Sequence, residues 1–304
     1  MTKALFPSSI NIVEVGPRDG LQNEAPVSTQ AKIELINQLS LSGLTHIEAG
    51  SFVSPKWVPQ MADSQQVLTQ ITRHVDVCYS ALTPNVQGLE LALQSNVDQV
   101  AIFTSVSESF CQHNINCSIE DSLERFFPVI KLAKQNGRPI RGYLSCVLDC
   151  PYEGETSPQR VKEVTKRLLD LGCYQVSLGD TVGTGTPLRV ESMLKEVLSI
   201  AQPEQIAVHF HNTWGQALAN VYQALRMGIH TVDSSVAGLG GCPYADGASG
   251  NVATEEILYL CQGLGIETGV DLERVAKAGW QICKHLKKPA KSNVSVALQA
   301  RLKL

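Results

Sequence analysis

Short apolar runs rich in β-branched residues alternate with longer amphipathic stretches along the whole sequence. Eight of these runs have the length and composition of buried strands, and each is followed by a segment of helical periodicity. Eight strand–helix units are the number that closes a parallel barrel of roughly 250 residues. The sequence therefore predicts an α/β protein with the (β/α)8 TIM-barrel fold. The predicted strands span residues 10–15, 46–52, 75–82, 99–106, 140–148, 175–179, 206–211 and 231–237.

The boundaries of the intervening helices carry recognisable signals. Ser157 followed by Pro158 is typical of an N-cap with proline in the first turn. Ser118 with Asp121 resembles a capping box in which Asp replaces the usual Glu. Glycines are expected where helices end, because they adopt the left-handed conformation without strain. Such glycines are Gly43, Gly137, Gly172 and Gly228.

An open, doubly wound sheet is the alternative architecture for this alternation. That fold would need a glycine-rich phosphate turn after its first strand, whereas residues 16–20 here read GPRDG, and no Walker A sequence occurs. The barrel is therefore the better interpretation. Because no low-complexity linker divides the chain, we expect one catalytic domain over residues 1–304. The barrel would cover about 9–265 and an extra C-terminal helical segment about 266–304.

Charge and composition limit the classes of partner. A net charge of −4 and a pI near 6.0 give no general attraction to nucleic acid or anionic membranes. No apolar run approaches membrane-spanning length. The nine scattered cysteines lack the spacing of a disulfide framework, and the start of the chain lacks the features of a signal or transit peptide. We therefore expect a cytoplasmic protein without a nucleic-acid or membrane partner.

Polar side chains cluster at the predicted carboxyl ends of the strands, where barrel enzymes perform their chemistry. Buried charges need partners, so a scaffold required only for stability would not place so many there. The sequence therefore predicts an active site at this rim. Its candidate residues are Arg18, Asp19, Glu48, Ser51, Tyr143, Cys146, Asp180, His209, His211 and Asn251.

The pair His209-Phe210-His211 predicts a metal site. Residues two apart in a strand project to the same side, roughly 6.7 Å apart, so both imidazoles could bind one ion at about 2.1 Å. Two satisfied core histidines would give the same pattern, but the position at a strand end favours ligation. Oxygens of Asp19 and Asn251 would complete a set without thiolate, which suits Mg²⁺ or Mn²⁺. Non-haem iron is compatible with two histidines and a carboxylate, without separate support.

The glycine-rich loop, residues 238–250, follows the last predicted strand. It contains five glycines, a composition typical of a backbone that moves and approaches a ligand closely. An ordinary flexible connection would have the same composition. Cys242 lies within this loop, where a thiol is better placed for proton transfer or nucleophilic work than for packing. The other cysteines are interpreted as small core residues.

Four motifs, taken in their order along the chain, resemble those of 3-hydroxy-3-methylglutaryl-coenzyme A (HMG-CoA) lyases. Residues 11–24 read NIVEVGPRDGLQNE, residues 51–63 read SFVSPKWVPQMAD, and residues 235–244 read SVAGLGGCPY. Residues 209–220 fit as well, and the likeness extends from about residue 9 to about residue 285. The synthase relatives of these lyases, such as isopropylmalate and homocitrate synthases, lack the GGCP loop in this form.

The resemblance implies a metal-dependent barrel lyase that cleaves HMG-CoA to acetyl-CoA and acetoacetate, as in leucine degradation. It implies cation binding by Asp19, His209, His211 and Asn251. Arg18 would stabilise the enolate oxygen and bind substrate, and Cys242 would be the acid/base of the loop. Glu48 and Asp180 would support catalysis, whereas Gln22, Ser51 and Tyr143 would contact substrate. The family also suggests a homodimer with an acyl-CoA thioester as substrate.

Two other activities use the same centre. A lyase for a related branched 3-hydroxyglutaryl-CoA from terpenoid degradation would need a roomier apolar pocket. An acyl-CoA-dependent Claisen-type synthase would form the bond instead of breaking it. A barrel that only binds metal is disfavoured, because Arg18, Asp19 and Cys242 are all present.

Overall fold

A computed structural model describes residues 5–241 and 250–302 of the chain. Within these residues, eight parallel strands form a closed barrel in the order β1-β8-β7-β6-β5-β4-β3-β2. The predicted (β/α)8 barrel is therefore confirmed. The barrel strands are β1 (Asn11–Glu14), β2 (His46–Ser51), β3 (Cys78–Leu82), β4 (Gln99–Ser105), β5 (Ile140–Ser145), β6 (Gln175–Asp180), β7 (Ile206–Phe210) and β8 (Thr231–Ser234).

Helices surround the barrel, and each strand is followed by at least one of them. A short hairpin, Asp149–Cys150 with Gly154–Glu155, precedes the helix that follows β5. The helices are α1 (Thr29–Ser40), α2 (Ser64–Gln70), α3 (Val86–Gln94), α4 (Glu108–Ile115), α5 (Ile119–Gln135), α6 (Pro158–Leu171), α7 (Pro187–Val197), α8 (Ala217–Arg226), α9 (Thr254–Leu264), α10 (Leu272–Leu286) and α11 (Asn293–Leu302).

The helix boundaries agree with the sequence signals. The Ser118 side chain accepts the Asp121 N–H, and the Asp121 carboxylate accepts the Ser118 N–H, so α5 begins with the predicted capping box. Ser157 caps α6 by accepting the Arg160 N–H. All four predicted helix-end glycines have positive φ, between 65° at Gly137 and 107° at Gly172. That conformation is strained for residues with a Cβ.

Three strands are shorter than predicted by three residues, each for a local reason. The third begins at Cys78 because Val75 is 93% exposed in a turn. The fifth ends at Ser145, since Cys146 adopts the left-handed conformation with φ of 62° and turns the chain out of the sheet. The eighth ends at Ser234, because the next residues form a tight turn in which Ala237 has φ of 59°.

The last two helices extend beyond the barrel. Helix α10 packs along α1, where the Gln38 and Gln281 side chains form a hydrogen bond of 2.5 Å. Helix α11 contacts α9 and α10. A C-terminal helical segment was predicted, and in the structure it consists of the two helices α10 and α11. Within the described ranges, no helix combines the length and apolar character that crossing a membrane requires.

Candidate active site

A cavity of about 1230 Å³ opens at the carboxyl ends of the barrel strands. Its floor contains charged and imidazole side chains, whereas its outer wall combines aromatic rings with amides from the β2, β3 and β4 loops. This is the end of the barrel at which the sequence placed the site. The predicted site residues that line the cavity are Arg18, Asp19, Gln22, Tyr143, His209 and His211.

Asp19, His209 and His211 form the centre of the cavity floor. Their ligand-type atoms all lie within 4.8 Å of one another, the only such group of three among the described His, Cys, Asp and Glu residues. The Nε2 atoms of the two histidines are 3.4 Å apart, and Nε2 of His209 is 3.8 Å from Oδ2 of Asp19. His211 lies just beyond β7, in an isolated bridge with Asn251. Two imidazoles and a carboxylate therefore converge as the H-x-H pattern predicted.

The electrostatics of these three groups suit a cation. Burial opposes ionisation of Asp19, but the charges of Arg18 and His209 lower the pKa of its carboxyl to about 2. Burial and the neighbouring His209 together lower the pKa of His211 to about 4. Burial would also lower the pKa of His209, but its hydrogen bond to Asp233 and the charge of Asp19 raise it above the usual value. At neutral pH the site thus offers a carboxylate and at least one neutral imidazole, the protonation states that bind metals. This donor set fits a divalent cation.

Arg18 and Asp19 are presented by a single wide turn, Gly16–Gly20, directly after β1. Nε of Arg18 donates to Oε2 of Glu48 at 2.5 Å, and one terminal nitrogen donates to Oδ1 of Asp19 at 2.7 Å. Glu48 is fully buried; burial raises the pKa of its carboxyl despite the charge of Arg18. The guanidinium also lies 5.4 Å from the centre of the Tyr143 ring. These contacts fix a permanent positive charge beside the histidine cluster.

Asn251 occupies the predicted position but presents its amide nitrogen. Nδ2 donates to Oδ2 of Asp19 at 2.9 Å and to the Leu239 carbonyl at 3.2 Å. Because both neighbours accept hydrogen bonds, the network identifies that atom as nitrogen. Asn251 therefore orients Asp19 in this arrangement, and ligation by its Oδ1 would require the amide to turn.

Two other predicted residues lie outside the cavity wall. The fully buried carboxylate of Asp180 accepts the N–H groups of Gly183 at 3.0 Å and Gly185 at 2.9 Å, so it shapes the loop after β6. Burial raises the pKa of this carboxyl to about 6. Ser51 is buried at the end of β2, where its Oγ accepts the Val53 N–H at 3.3 Å. Cys242 lies outside the described residues.

The loop root, residues 235–240, leads from β8 into the first residues of the glycine-rich loop and is held by two buried carboxyls. Glu14 accepts the N–H groups of Val236 at 2.9 Å and Gly16 at 2.8 Å. Glu255 accepts the Ala237 N–H at 2.9 Å. Burial raises the pKa of Glu14 to about 7 and that of Glu255 to about 8. Neither residue was predicted from the sequence.

The segment between α10 and α11 contacts the same root from outside. Lys291 donates through its backbone N–H to the Ala237 carbonyl at 3.0 Å and through Nζ to the Gly240 carbonyl at 3.2 Å. Glu24 accepts the Gly240 N–H at 3.2 Å and forms a salt bridge with Lys288. The C-terminal segment is thus bonded to the start of the glycine-rich loop.

Two more functional candidates, Arg141 and Asp233, lie directly beneath the cavity floor. Asp233 contacts Nδ1 of His209 at 3.3 Å, and Arg141 binds Asp233 through both terminal nitrogens. The sequence contained a signal for both, because each is a charged residue within an otherwise buried strand.

Fold and site together define a (β/α)8-barrel protein with a carboxylate–imidazole cluster, suited to a cation, in a deep cavity. A model of the HMGL-like family matches residues 9–282. The chain belongs to this family.

Curated relatives and solved structures agree over nearly the full length. A Danio rerio protein named 3-hydroxy-3-methylglutaryl-CoA lyase, cytoplasmic, is 57% identical over 96% of this chain and 88% of its own. A Pseudomonas aeruginosa protein named 3-hydroxy-3-isohexenylglutaryl-CoA/hydroxy-methylglutaryl-CoA lyase is 54% identical over 97% and 99%. A crystal structure of hydroxymethylglutaryl-CoA lyase from Pseudomonas aeruginosa superposes with a TM-score of 0.96 and 53% identity, covering 98% and 99% of the two chains.

A further solved structure carries ligands. An HMG-CoA lyase from Acinetobacter baumannii, in complex with coenzyme A and 3-methylmalate, has a TM-score of 0.91 and 37% identity over 98% of this chain and 97% of its own. A Bos taurus relative, 55% identical over 96% of this chain and 90% of its own, is named as mitochondrial.

Proposed function

We propose that this chain is an HMG-CoA lyase, which cleaves 3-hydroxy-3-methylglutaryl-CoA to acetyl-CoA and acetoacetate. The observation that carries this function is the convergence of Arg18, Asp19, His209 and His211 on the floor of one cavity, in a chain of the HMGL-like family. The names of the relatives, and the coenzyme A bound to one solved structure, support an acyl-CoA thioester as substrate.

The residues that would hold the metal are Asp19, His209 and His211, with Asn251 as a fourth ligand after its amide turns. A mixed oxygen and imidazole set without thiolate favours Mg²⁺ or Mn²⁺. When bound, such a cation would acidify the C3 hydroxyl of the substrate and orient it. The cluster itself contributes a carboxylate whose position is fixed by Arg18 and Asn251.

Arg18 is the group that would stabilise negative charge on the thioester oxygen. In the cleavage, the C3 hydroxyl loses its proton to a base and becomes the ketone of acetoacetate, while the electron pair of the broken C2–C3 bond moves onto the thioester carbonyl and forms an enolate. Because Glu48 and Asp19 hold the guanidinium in place, its charge is oriented before the reaction, which makes it effective in a water-poor cavity. Tyr143 and Gln22 line the same cavity and would contact the substrate.

Proton transfer would involve the glycine-rich loop. We assign to Cys242 the protonation of the enolate carbon, the role that the resemblance to the lyases implies. Glu48 and Asp180 are supporting residues in this proposal: Glu48 orients Arg18, and Asp180 shapes the loop after β6. Ser51 would act through the backbone at the end of β2, since its hydroxyl accepts the Val53 N–H.

A product assay tests the function. Purified protein with HMG-CoA should release acetoacetate, lose this activity in the presence of a chelator, and recover it when Mg²⁺ or Mn²⁺ is added back. Cys242→Ala should retain Mn²⁺ binding and lose most turnover, with Cys261→Ala, on the outer helix α9, as the matched control. Absence of acetoacetate with either cation would overturn the proposed function, and near-normal turnover of Cys242→Ala would remove that thiol from the reaction.

The comparisons favour HMG-CoA over the two other activities. The curated relatives in the comparison are named lyases, which supports cleavage over a Claisen-type synthesis. The Pseudomonas aeruginosa relative is named for both a methyl and an isohexenyl substrate, so turnover of these two thioesters should be compared directly. A synthase would instead consume acetyl-CoA in the presence of a 2-oxo acid.

We further propose that the chain acts as a single domain, as a homodimer and in the cytoplasm. The packing of α10 along α1 supports the first statement, and relatives named as cytoplasmic support the last, although others are named as mitochondrial. Light scattering during gel filtration would determine the number of subunits, and fractionation of the source cells would determine the compartment.

A further inference from the structure

Asp233 lies inside the barrel, immediately below the candidate metal site. It stands on β8 beside His209 of β7, and the two residues are paired in the register of the strands. Oδ2 of Asp233 is 3.3 Å from Nδ1 of His209 and accepts the Ser177 hydroxyl at 2.7 Å. Asp233 is 1% exposed. Its contact with His209 is on the ring nitrogen that faces away from the cluster.

This contact determines which nitrogen of His209 can bind a cation. An ionised carboxylate only accepts hydrogen bonds, so Nδ1 must carry the proton in the contact with Asp233. In the neutral ring, Nε2 is then unprotonated and has its lone pair free. Nε2 is the atom that faces Nε2 of His211 at 3.4 Å and Asp19 at 3.8 Å. The tautomer selected by Asp233 is therefore the one that ligation needs.

Arg141 holds Asp233 in that position. One terminal nitrogen donates to Oδ2 at 3.0 Å and the other donates to Oδ1 at 2.7 Å, while Nε donates to Gln175 at 3.0 Å. The guanidinium also packs 5.2 Å from the centre of the Tyr143 ring. A carboxylate with two parallel bonds from an immobilised guanidinium cannot rotate away from the imidazole.

We propose that Asp233, held by Arg141, is a positioning residue that sets the metal affinity of the site by fixing the orientation and tautomer of His209. The proposal rests on the metal-dependent function proposed above. A buried ion pair required only for packing would be complete with Arg141 and Asp233 alone. A positioning role differs from a packing role because Asp233 also contacts His209, whose ring faces the metal site.

The decisive measurement is the Mn²⁺ affinity of Asp233→Asn, determined by titration calorimetry on the purified full chain. The amide of this variant has one acceptor oxygen, which Arg141 binds. Its NH2 group therefore faces Nδ1 of His209 and disfavours the tautomer that carries the proton on Nδ1. Outer partners of metal-ligating histidines typically contribute about 10- to 100-fold in affinity. We expect a loss of this size, with the thermal midpoint recorded on the same samples.

Two further variants keep the test conclusive. Arg141→Met combined with Asp233→Leu removes both charges and every acceptor that Asp233 presents to His209, so it avoids an unpaired buried guanidinium and serves if the single variant does not fold. Asp98→Asn is the matched control, because Asp98 binds Arg73 at the opposite end of the barrel. It should bind Mn²⁺ like the wild type.

The outcomes separate this inference from the proposed function. Wild-type Mn²⁺ affinity in a folded Asp233→Asn or double variant would overturn the positioning role. Failure of both variants to fold, with Asp98→Asn folded, would also overturn it, since the network would then be structural. A wild-type chain that binds Mn²⁺ tightly but cleaves no HMG-CoA would overturn the function alone.

Discussion

The Nε2 atoms of His209 and His211 face each other at 3.4 Å, from two imidazoles that are only two residues apart. When both neutral rings carry their proton on Nδ1, both Nε2 atoms are acceptors and neither can satisfy the other. A cation bound by both nitrogens would satisfy their lone pairs, and the nearby Asp19 carboxylate supplies the negative charge that a cation requires.

Replacing either histidine should therefore abolish tight metal binding. We expect His209→Ala and His211→Ala each to weaken Mn²⁺ binding by at least about 100-fold, more than the loss typical of an outer partner. Titration calorimetry measures this directly. His113→Ala is the control, because His113 lines the outer cavity and stacks on Tyr152, away from the cluster. Unchanged affinity in either cluster variant would contradict the ligand assignment.

Arg18 should be required for turnover in a form that lysine cannot replace. Arg18→Lys keeps the charge but loses the planar group that contacts both Glu48 and Asp19, so we expect kcat to fall about 10²- to 10³-fold. Arg18→Met should also destabilise the fold by about 3–5 kcal/mol, because it leaves the Glu48 charge buried without a partner. Arg18→Met with Glu48→Gln should regain stability without regaining turnover. Recovery of turnover in this double variant would exclude Arg18 from catalysis.

Ionisation of Glu255, which holds the loop root, should lower the free energy of unfolding as the pH rises. The pKa of Glu255 is raised by burial to about 8, above its ordinary value of 4.5, so the folded state binds the extra proton between these values. Stability linked to that proton is present at low pH and is lost as pH rises through about 8; each unit of elevation corresponds to about 1.4 kcal/mol. Glu255→Gln stays neutral and can still accept the Ala237 N–H.

Urea unfolding at pH 5.5, 7 and 8.5 measures this dependence. The free energy of unfolding of Glu255→Gln should fall less steeply with pH than that of the wild type. Glu163→Gln, an exposed change on α6, should follow the wild-type slope. Parallel slopes for wild type and Glu255→Gln would show that Glu255 is already ionised at pH 5.5.

A pair of glycine variants should show how closely the backbone at Gly250, next to Asn251, packs against the backbone at Gly240. Gly250 and Gly265 both have positive φ, 78° and 70°. A Cβ at Gly250 would lie 2.5 Å from the Gly240 carbonyl atoms, whereas a Cβ at Gly265 would have no neighbour within 4 Å among the described residues. Gly265→Ala should lower the free energy of unfolding by about 1–2 kcal/mol, the cost of the left-handed conformation for a residue with a Cβ. Gly250→Ala should cost more and should lower turnover as well. Equal thermal midpoints for the two variants would contradict this packing.

The barrel could be predicted from the sequence because its signals are local. Alternating apolar runs, Ser118 with Asp121, and glycines such as Gly172 each reflect the conformation of a few neighbouring residues. The strand ends were less predictable. Val75 and Ala237 have apolar side chains that suit a strand, but the left-handed φ of Ala237 is imposed by contacts with the distant Glu255 and Lys291.

The site was predictable only to the extent that its residues lie at strand ends. The spacing of His209 and His211 predicted their convergence, and the first turn supplied Asp19. Arg141 and Asp233 were not identified, because their pairing depends on the register between β5, β6, β7 and β8, which no short motif encodes. The amide orientation of Asn251 likewise depends on the Leu239 carbonyl, a contact across the loop root.

Lys291 bonds to both Ala237 and Gly240, so the connection that follows α10 forms part of the frame from which the glycine-rich loop departs. A disturbance in the C-terminal segment, for example a bulky fusion that loosens α11, would therefore be transmitted to the mouth of the barrel. Engineering at that end should be expected to alter catalysis as well as solubility.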